Sequence, residues 1–236
     1  MTQSNFATAL IVGAGPGISA SFARLLARNG IKTALAARNT EKLQALSNET
    51  GAKTFATDAT DAAQVKRLFA EVTDQIGEPD IVLYNASGRV RGALTELDPA
   101  EVEAALRISA FGGFLVGQEA ASRLLARPLE QRGAILFTGA SASVKGFARS
   151  SSFAMGKFAL RGLAQSMARE LAPQGIHVAH FIIDGAVRSA LRAEPADKPA
   201  SMLDPDAIAE TYWHILQQPR SAWTWEVELR PWVENF

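Results

Sequence analysis

The sequence predicts a single α/β domain, in which a doubly wound parallel sheet carries a layer of helices on each face (α/β/α). Short apolar runs alternate with amphipathic stretches, at a spacing of roughly 25 to 45 residues. The runs lack polar alternation, as expected of strands buried on both faces of a parallel sheet. A glycine-rich turn follows the first run and opens a helix. Residues 1–236 are assigned to this one domain, because no repeat or linker divides them.

The strands and helices are predicted from these patterns, taken in order along the chain. The first strand reads Ala7-Thr-Ala-Leu-Ile-Val12, and a last strand with alternating aromatic and acidic residues is predicted in the tail at 221–232. The tail's aromatic side chains would either pack in the core or form a subunit contact. The remaining strands are predicted at 33–36, 53–56, 81–84, 134–137 and 178–183, and helices at 18–28, 40–50, 62–76, 99–125 and 153–171.

Residues at the element ends support these assignments. Asp98-Pro99 and Asp204-Pro205 are typical helix starts, because Asp caps the first turn and proline fits within it. The stretch 188–203, rich in alanine, proline and charge, is predicted to be a lid-like loop.

Composition excludes several classes of function. The 24 basic and 24 acidic residues balance, so neither nucleic acid nor an anionic membrane is an expected partner. Cysteine is absent, which excludes disulfides, thiolate metal sites and cysteine nucleophiles. No metal site is predicted, because the three histidines lack ligand spacing, and His180 is interpreted as structural. The start lacks the basic segment of a signal peptide, so a cytoplasmic location is expected.

The glycine-rich turn reads Gly13-Ala-Gly15-Pro16-Gly17-Ile18. Glycines between a strand and a helix let backbone N–H groups approach a pyrophosphate at the positive end of the helix. The first strand of an alternating α/β chain is the context this motif requires, so the turn predicts a Rossmann-type dinucleotide-binding domain. The alternative is a tight turn that binds no ligand.

Several segments together resemble the short-chain dehydrogenase/reductase family. Gly13 and Gly17 match its Gly-x-x-x-Gly-x-Gly pattern, except that Ser19 replaces the third glycine and is expected to crowd the helix slightly against the sheet. The family's other motifs appear as Asp58-Ala59, Tyr84-Asn85-Ala86-Ser87-Gly88, residues 163–173 and 175–178, and Asp184-Gly185. The resemblance covers residues 7 to about 190 and implies a nicotinamide cofactor.

The resemblance also implies which residues contact that cofactor. The position that binds the ribose 2′-hydroxyl, about 20 residues beyond the glycine turn, is Ala37, followed by Arg38. Because a guanidinium can grip a phosphate and no carboxylate repels it, NADP(H) is preferred over NAD(H). Alternatively, Arg38 is a solvated turn residue, Asp58 caps its own turn and Asn85 satisfies its own loop. The implied cofactor contacts are Gly13, Gly15, Pro16, Gly17, Ile18, Arg38, Asn39, Asp58, Ala59, Asn85, Ala86, Ser87, Lys157, Gly185 and Val187.

The helix predicted from residue 153 resembles the family's catalytic helix, on which a Tyr and a Lys lie four residues apart. Lys157 is present, but Phe153 occupies the Tyr position, Ala140 the Ser position and Ser109 the Asn position. Phenylalanine cannot exchange a proton, so the usual general acid is missing. The remaining candidate proton donors are Ser141, Ser151, Ser152 and a water molecule held by Lys157.

Both residues of this helix also have ordinary interpretations. Lys157 would then be a solvated lysine and Phe153 a core aromatic. Together with residues 138–143 and 183–185, however, the pair is similar to an atypical subgroup of the family that carries Phe at the Tyr position and keeps the Lys.

The resemblance implies an NADP(H)-dependent oxidoreductase with an incomplete catalytic tetrad, acting on an unidentified small carbonyl, alcohol or enone. The alternative is a catalytically silent NADP(H)-binding sensor or scaffold protein. The resemblance also implies a homodimer or homotetramer built on the long fourth and fifth crossover helices.

Overall fold

A computed structural model describes residues 6–190 and 192–234, and within them seven parallel strands form one sheet. Their order across the sheet is β3-β2-β1-β4-β5-β6-β7, which confirms the predicted fold class, and β7 is the strand predicted in the tail. Residues 1–5, where a signal peptide would begin, and Leu191 of the predicted lid-like loop lie outside the described residues. The strands are β1 (Thr8–Val12), β2 (Lys32–Ala37), β3 (Lys53–Ala56), β4 (Ile81–Tyr84), β5 (Ala134–Thr138), β6 (His177–Ile183) and β7 (Glu226–Leu229).

Helices cover both faces of the sheet and create two cores. Alternate residues of each strand point to opposite faces, so Ile11 of β1 packs in one core and Leu10 in the other. One face carries α1 (Ile18–Arg28), α2 (Gln44–Thr50) and α7 (Pro205–Leu216), and the other carries α3 (Ala62–Ile76), α5 (Gly112–Leu125) and α6 (Ser151–Leu171).

Two predicted helices differ from the structure. The helix predicted at 99–125 consists of α4 (Pro99–Leu106) and α5, separated by a π turn at Arg107–Phe111. Ser109 in this turn exchanges hydrogen bonds with both backbone groups of Gly88, at 2.9 and 3.2 Å, and these bonds stabilise the irregular turn. The helix predicted at 40–50 becomes α-helical only at Gln44, after a short 3₁₀ turn.

Both predicted Asp caps are present at helix starts. The Asp98 carboxylate accepts from the backbone N–H of Ala100 at 2.9 Å, and that of Asp204 accepts from Asp206 at 3.0 Å. No helix within 6–190 and 192–234 is long and apolar enough to span a membrane.

The strand order reverses between β1 and β4, which opens a crevice at the carboxyl ends of these strands. The glycine turn leaves β1 at this edge, and Asn85 leaves β4 there, its backbone N–H bonded to the Val12 carbonyl at 2.8 Å. The segment 188–203 follows β6 at the same edge. Its two ends are joined by a bridge between Val187 and Leu203.

Candidate functional site

Gly13 is required by the backbone of the turn after β1. It adopts a φ of +80°, and a Cβ added there would lie 2.3 Å from the backbone nitrogen of Ala86. Its own N–H donates to the Ala36 carbonyl at 2.9 Å. Any larger side chain would therefore push the turn away from the loop that follows β4.

The rest of the turn leaves space at the start of α1. No side chain or backbone of the described residues, apart from the immediate chain neighbours, lies within 4 Å of a Cβ added at Gly15 or Gly17. No side chain caps α1, although Gly17 stands at the N-cap position. The first N–H groups of an α-helix lack partners inside the helix, so this open, uncapped end suits an anion such as a pyrophosphate.

Ser19, which stands at the family's third glycine, is a hydrogen-bonding residue in this fold. Its side chain is buried, and its Oγ accepts from Asn85 Nδ2 at 2.8 Å. The same Asn85 nitrogen lies 3.4 Å from the Gly13 carbonyl oxygen. The Asn85 side chain thus joins its loop to the glycine turn instead of satisfying only its own loop.

The loops after β2 and β3 hold the residues predicted to bind the adenosine end of the cofactor. Arg38 and Asn39 are exposed, and Arg38 forms no ion pair with any residue that the structure describes. Asp58 Oδ1 accepts from the Thr60 backbone N–H at 2.9 Å and from its hydroxyl at 2.8 Å. Asp58 therefore caps its own turn, as the alternative interpretation expected, in the loop beside Arg38.

Lys157 is a buried cation of α6. Its Nζ donates to the Thr138 carbonyl at 2.7 Å, and the side chain is 3% exposed. Burial lowers its pKa to about 8. A solvated helix lysine is therefore the wrong interpretation of this residue. An ammonium carries three donors, so two N–H groups remain for a ligand.

Phe153 lies one turn before Lys157 on the same helix face. Its ring centroid is 6.0 Å from the lysine Nζ and 4.7 Å from the Arg89 guanidinium carbon. The ring is partly exposed and lines a cavity, so it is not a core aromatic.

The cavity, of about 540 Å³, gathers part of the predicted site. It does not reach the glycines of the turn, Pro16 or Ala86, nor the four residues predicted on the loops after β2 and β3. Its lining includes eight predicted residues, namely Ile18, Asn85, Ser87, Ser141, Phe153, Lys157, Gly185 and Val187.

Comparison with known proteins identifies the family. The family model described as short chain dehydrogenase matches residues 7–199. The chain belongs to the short-chain dehydrogenase/reductase family. It is 31% identical over 235 residues to an uncharacterised oxidoreductase of Staphylococcus aureus (strain N315), covering 98% of this chain and 100% of that protein.

Solved structures of this family superpose on nearly the whole chain. One from Rhodopseudomonas palustris is 35% identical with a TM-score of 0.80, over 96% of this chain and 99% of that one. A metagenomic short-chain oxidoreductase in complex with NADP is 27% identical with a TM-score of 0.82, over 95% and 97%.

Ser141 lies on the cavity wall, next to Ala140. Burial alone would raise the pKa of Asp184, but the hydrogen bond from Lys145 and its positive charge outweigh the burial and lower that pKa. Lys145 Nζ lies 2.8 Å from the Asp184 carboxylate.

The two tyrosines of the chain cannot replace the missing phenol. Tyr84 and Tyr212 are fully buried, and burial raises the pKa of each. The Tyr84 hydroxyl donates to the Ile108 carbonyl, and that of Tyr212 is 3.0 Å from the Thr138 hydroxyl. Neither ring lines the cavity.

His180 belongs to a buried polar chain that ties together the last strands. Its Nε2 lies 3.4 Å from Ser143 Oγ, and its Nδ1 lies 3.0 Å from the carboxylate of Glu226, which also binds Arg161. Burial lowers the pKa of His180 to about 4, so the ring is neutral. Within the described residues, no group of three or more His, Asp or Glu side chains is placed to hold a metal ion.

Three arginines of the cavity wall were not predicted from the sequence. Arg89 and Arg91 follow β4, and Arg192 lies in the segment 188–203. No motif marks these positions. Only the two arginines close together after Gly88, in the loop that follows the family's Asn motif, gave a signal in the sequence.

Proposed function

We propose that this protein is an NADP(H)-dependent oxidoreductase of a small carbonyl, alcohol or enone. The observation that carries the proposal is the single cavity that brings Ile18 of the glycine turn beside Asn85 and the buried Lys157. These residues come from three distant parts of the chain, at the crevice where such folds bind ligands.

The residues around the crevice fit a dinucleotide with a 2′-phosphate. The open turn at Gly15 and Gly17 has room for the pyrophosphate, and Arg38 has a free guanidinium for the phosphate. Lys157 has two donors for ribose hydroxyls. When bound, the cofactor supplies or accepts a hydride. The remaining proposed contacts are Gly13, Pro16, Ile18, Asn39, Asp58, Ala59, Asn85, Ala86, Ser87, Gly185 and Val187.

The site lacks the family's side chain for proton transfer. Without the phenol at residue 153, a contribution of about 10²–10⁴-fold from a general acid is missing. The buried Lys157 holds the ribose hydroxyls, and water reaching the partly exposed Phe153 ring supplies the proton. We therefore propose slow turnover with an incomplete tetrad.

The second candidate is a silent NADP(H)-binding sensor or scaffold. It is favoured by Phe153 and Ala140, since neither side chain can exchange a proton. A homodimer or homotetramer is proposed in either case. It is supported by apolar side chains exposed on the neighbouring helical segments, namely Phe111, Phe114, Met155 and Phe158.

Titration and turnover separate the two candidates. Purified protein is titrated with NADPH and NADH by fluorescence, and NADPH oxidation is then followed with a panel of aldehydes, ketones and enones. We expect tighter binding of NADPH and slow oxidation with at least one compound. NADPH binding without turnover of any compound in the panel would support the silent sensor or scaffold. Absence of NADPH binding would reject both candidate functions.

A further inference from the structure

The charge of the cavity wall differs from that of the whole chain. Overall, 24 basic residues balance 24 acidic ones. The cavity is lined by four basic side chains, Arg89, Arg91, Lys157 and Arg192, and by no aspartate or glutamate of the described residues. A cavity wall of one sign concentrates ligands of the opposite charge.

The three arginines lack the partners that other arginines of the chain have. Among the described residues, none of Arg89, Arg91 and Arg192 forms an ion pair, and all three are exposed. Their guanidinium groups are therefore free for a ligand. Seven other arginines do pair with carboxylates, namely Arg24, Arg67, Arg123, Arg127, Arg161, Arg188 and Arg230.

The Phe153 ring positions one of these cations. Arg89 lies over the ring at 4.7 Å, in a cation–π contact that limits the freedom of a long side chain. The same ring is 6.0 Å from Lys157 Nζ. The aromatic side chain at the family's Tyr position thus acts as a support for Arg89 instead of a proton donor.

The segment 188–203 brings the third arginine to the cavity. Its ends are fixed by the Arg188 N–H bond to the Leu203 carbonyl at 2.9 Å and by the Arg188–Asp204 ion pair at 2.8 Å. Arg192 lies in this segment and lines the cavity, although it is far along the chain from Arg89 and Arg91.

We propose that the substrate is a small oxo acid or hydroxy acid, whose carboxylate is bound by Arg89, Arg91 and Arg192. The inference rests on the proposed function, because it places the substrate in the cavity that takes the nicotinamide. A guanidinium fork matches a carboxylate with two parallel hydrogen bonds. A carboxylate is also compact enough for a small substrate to share about 540 Å³ with the nicotinamide ring.

The test compares acids with their neutral esters in calorimetric titrations. Protein saturated with NADP⁺, and protein alone, are titrated with 2-oxobutanoate, 4-oxopentanoate and the methyl ester of each. We expect the acids to bind at least about tenfold more tightly, and the preference to shrink at high salt. Equal binding of acids and esters, or binding of neither, would overturn the proposal.

Single variants then locate the binding groups. Arg91→Gln and Arg192→Gln are each expected to reduce the preference for the acids several-fold, and the double variant to abolish it, with the NADP⁺ affinity unchanged. Arg169→Gln, at an exposed site near the far end of α6, is the matched control and should keep the preference. A preference that survives in the double variant, or a loss of NADP⁺ affinity, contradicts the assignment.

Two further arms separate the proposals from each other. Binding of dihydroxyacetone phosphate is compared with binding of dihydroxyacetone. If this phosphate binds more tightly than the oxo acids, the group bound by the arginines is a phosphate and not a carboxylate. If NADP⁺ does not bind, the proposed function is rejected. Carboxylate binding is still tested in that case, because the titrations of protein without cofactor compare the acids with their esters.

Discussion

The Lys157 ammonium donates a 2.7 Å hydrogen bond to the carbonyl of Thr138, at the end of strand β5. No carboxylate among the described residues pairs with this buried cation. The bond fixes the direction of the ammonium relative to the sheet. It also leaves the charge poorly compensated, which is why burial lowers the pKa of Lys157 to about 8.

This pKa predicts how stability depends on pH. The ordinary value is 10.5, so between about 8 and 10.5 the unfolded chain holds a proton that the folded chain has lost. The contribution of this group to the free energy of unfolding therefore rises with pH across that window. Urea denaturation at pH 7 to 10 should show wild type gaining stability relative to Lys157→Met. The control variant Lys42→Met, at an exposed site, should differ from wild type in free energy of unfolding by the same amount at every pH.

Restoring the phenol tests the missing proton donor. Phe153→Tyr should raise NADPH-dependent reduction by about 10²-fold, because Arg89 and Lys157 both favour the phenolate and so tune its acidity. Initial rates are compared with those of Phe158→Tyr, which adds a hydroxyl at an exposed site of the same helix. An unchanged rate in Phe153→Tyr would mean that Ala140 must also be replaced by serine.

Cofactor preference is expected to depend on Arg38. Arg38→Ala removes the proposed partner of the 2′-phosphate and should weaken NADPH binding by about 10–100-fold, the range for a hydrogen-bonded charge pair. The NADH affinity should stay the same. Both are measured by fluorescence titration, with Arg28→Ala, exposed in the last turn of α1, as the control. Equal losses for NADPH and NADH would place the phosphate elsewhere.

The hydroxyl of Ser19 should contribute to stability. Ser19→Ala removes the acceptor of the 2.8 Å bond from Asn85 in a buried site and should lower the free energy of unfolding by about 1–2 kcal/mol. Chemical denaturation of Ser19→Ala and of Ser166→Ala, at an exposed position, gives the comparison. Equal stability of the two variants would show that the bond adds nothing net.

The sequence predicts the features that depend on local patterns. Buried strands and helix caps have periodicities and residue types that repeat in any α/β chain, so the sheet and its flanking helices were predictable. The glycine turn and the pair Phe153 and Lys157 were predictable for the same reason, since each lies within one short segment.

Features that join distant segments were not predictable. The Asn85–Ser19 bond spans 66 positions, and no local pattern encodes it. Arg192 and Arg89 line one cavity only when the segment 188–203 is folded against it. The π turn at Ser109 depends on Gly88, which becomes its neighbour only in the folded chain.

The Asn85–Ser19 bond makes the glycine turn and the loop after β4 a single preformed cradle. Such a cradle needs little reorganisation when a dinucleotide arrives, so occupancy changes the shape of this side of the protein very little. A partner protein would therefore have no conformational change of this cradle by which to recognise the bound dinucleotide. The segment 188–203 lies outside this cradle, and its ends are attached by the Val187–Leu203 bridge and the Arg188–Asp204 ion pair.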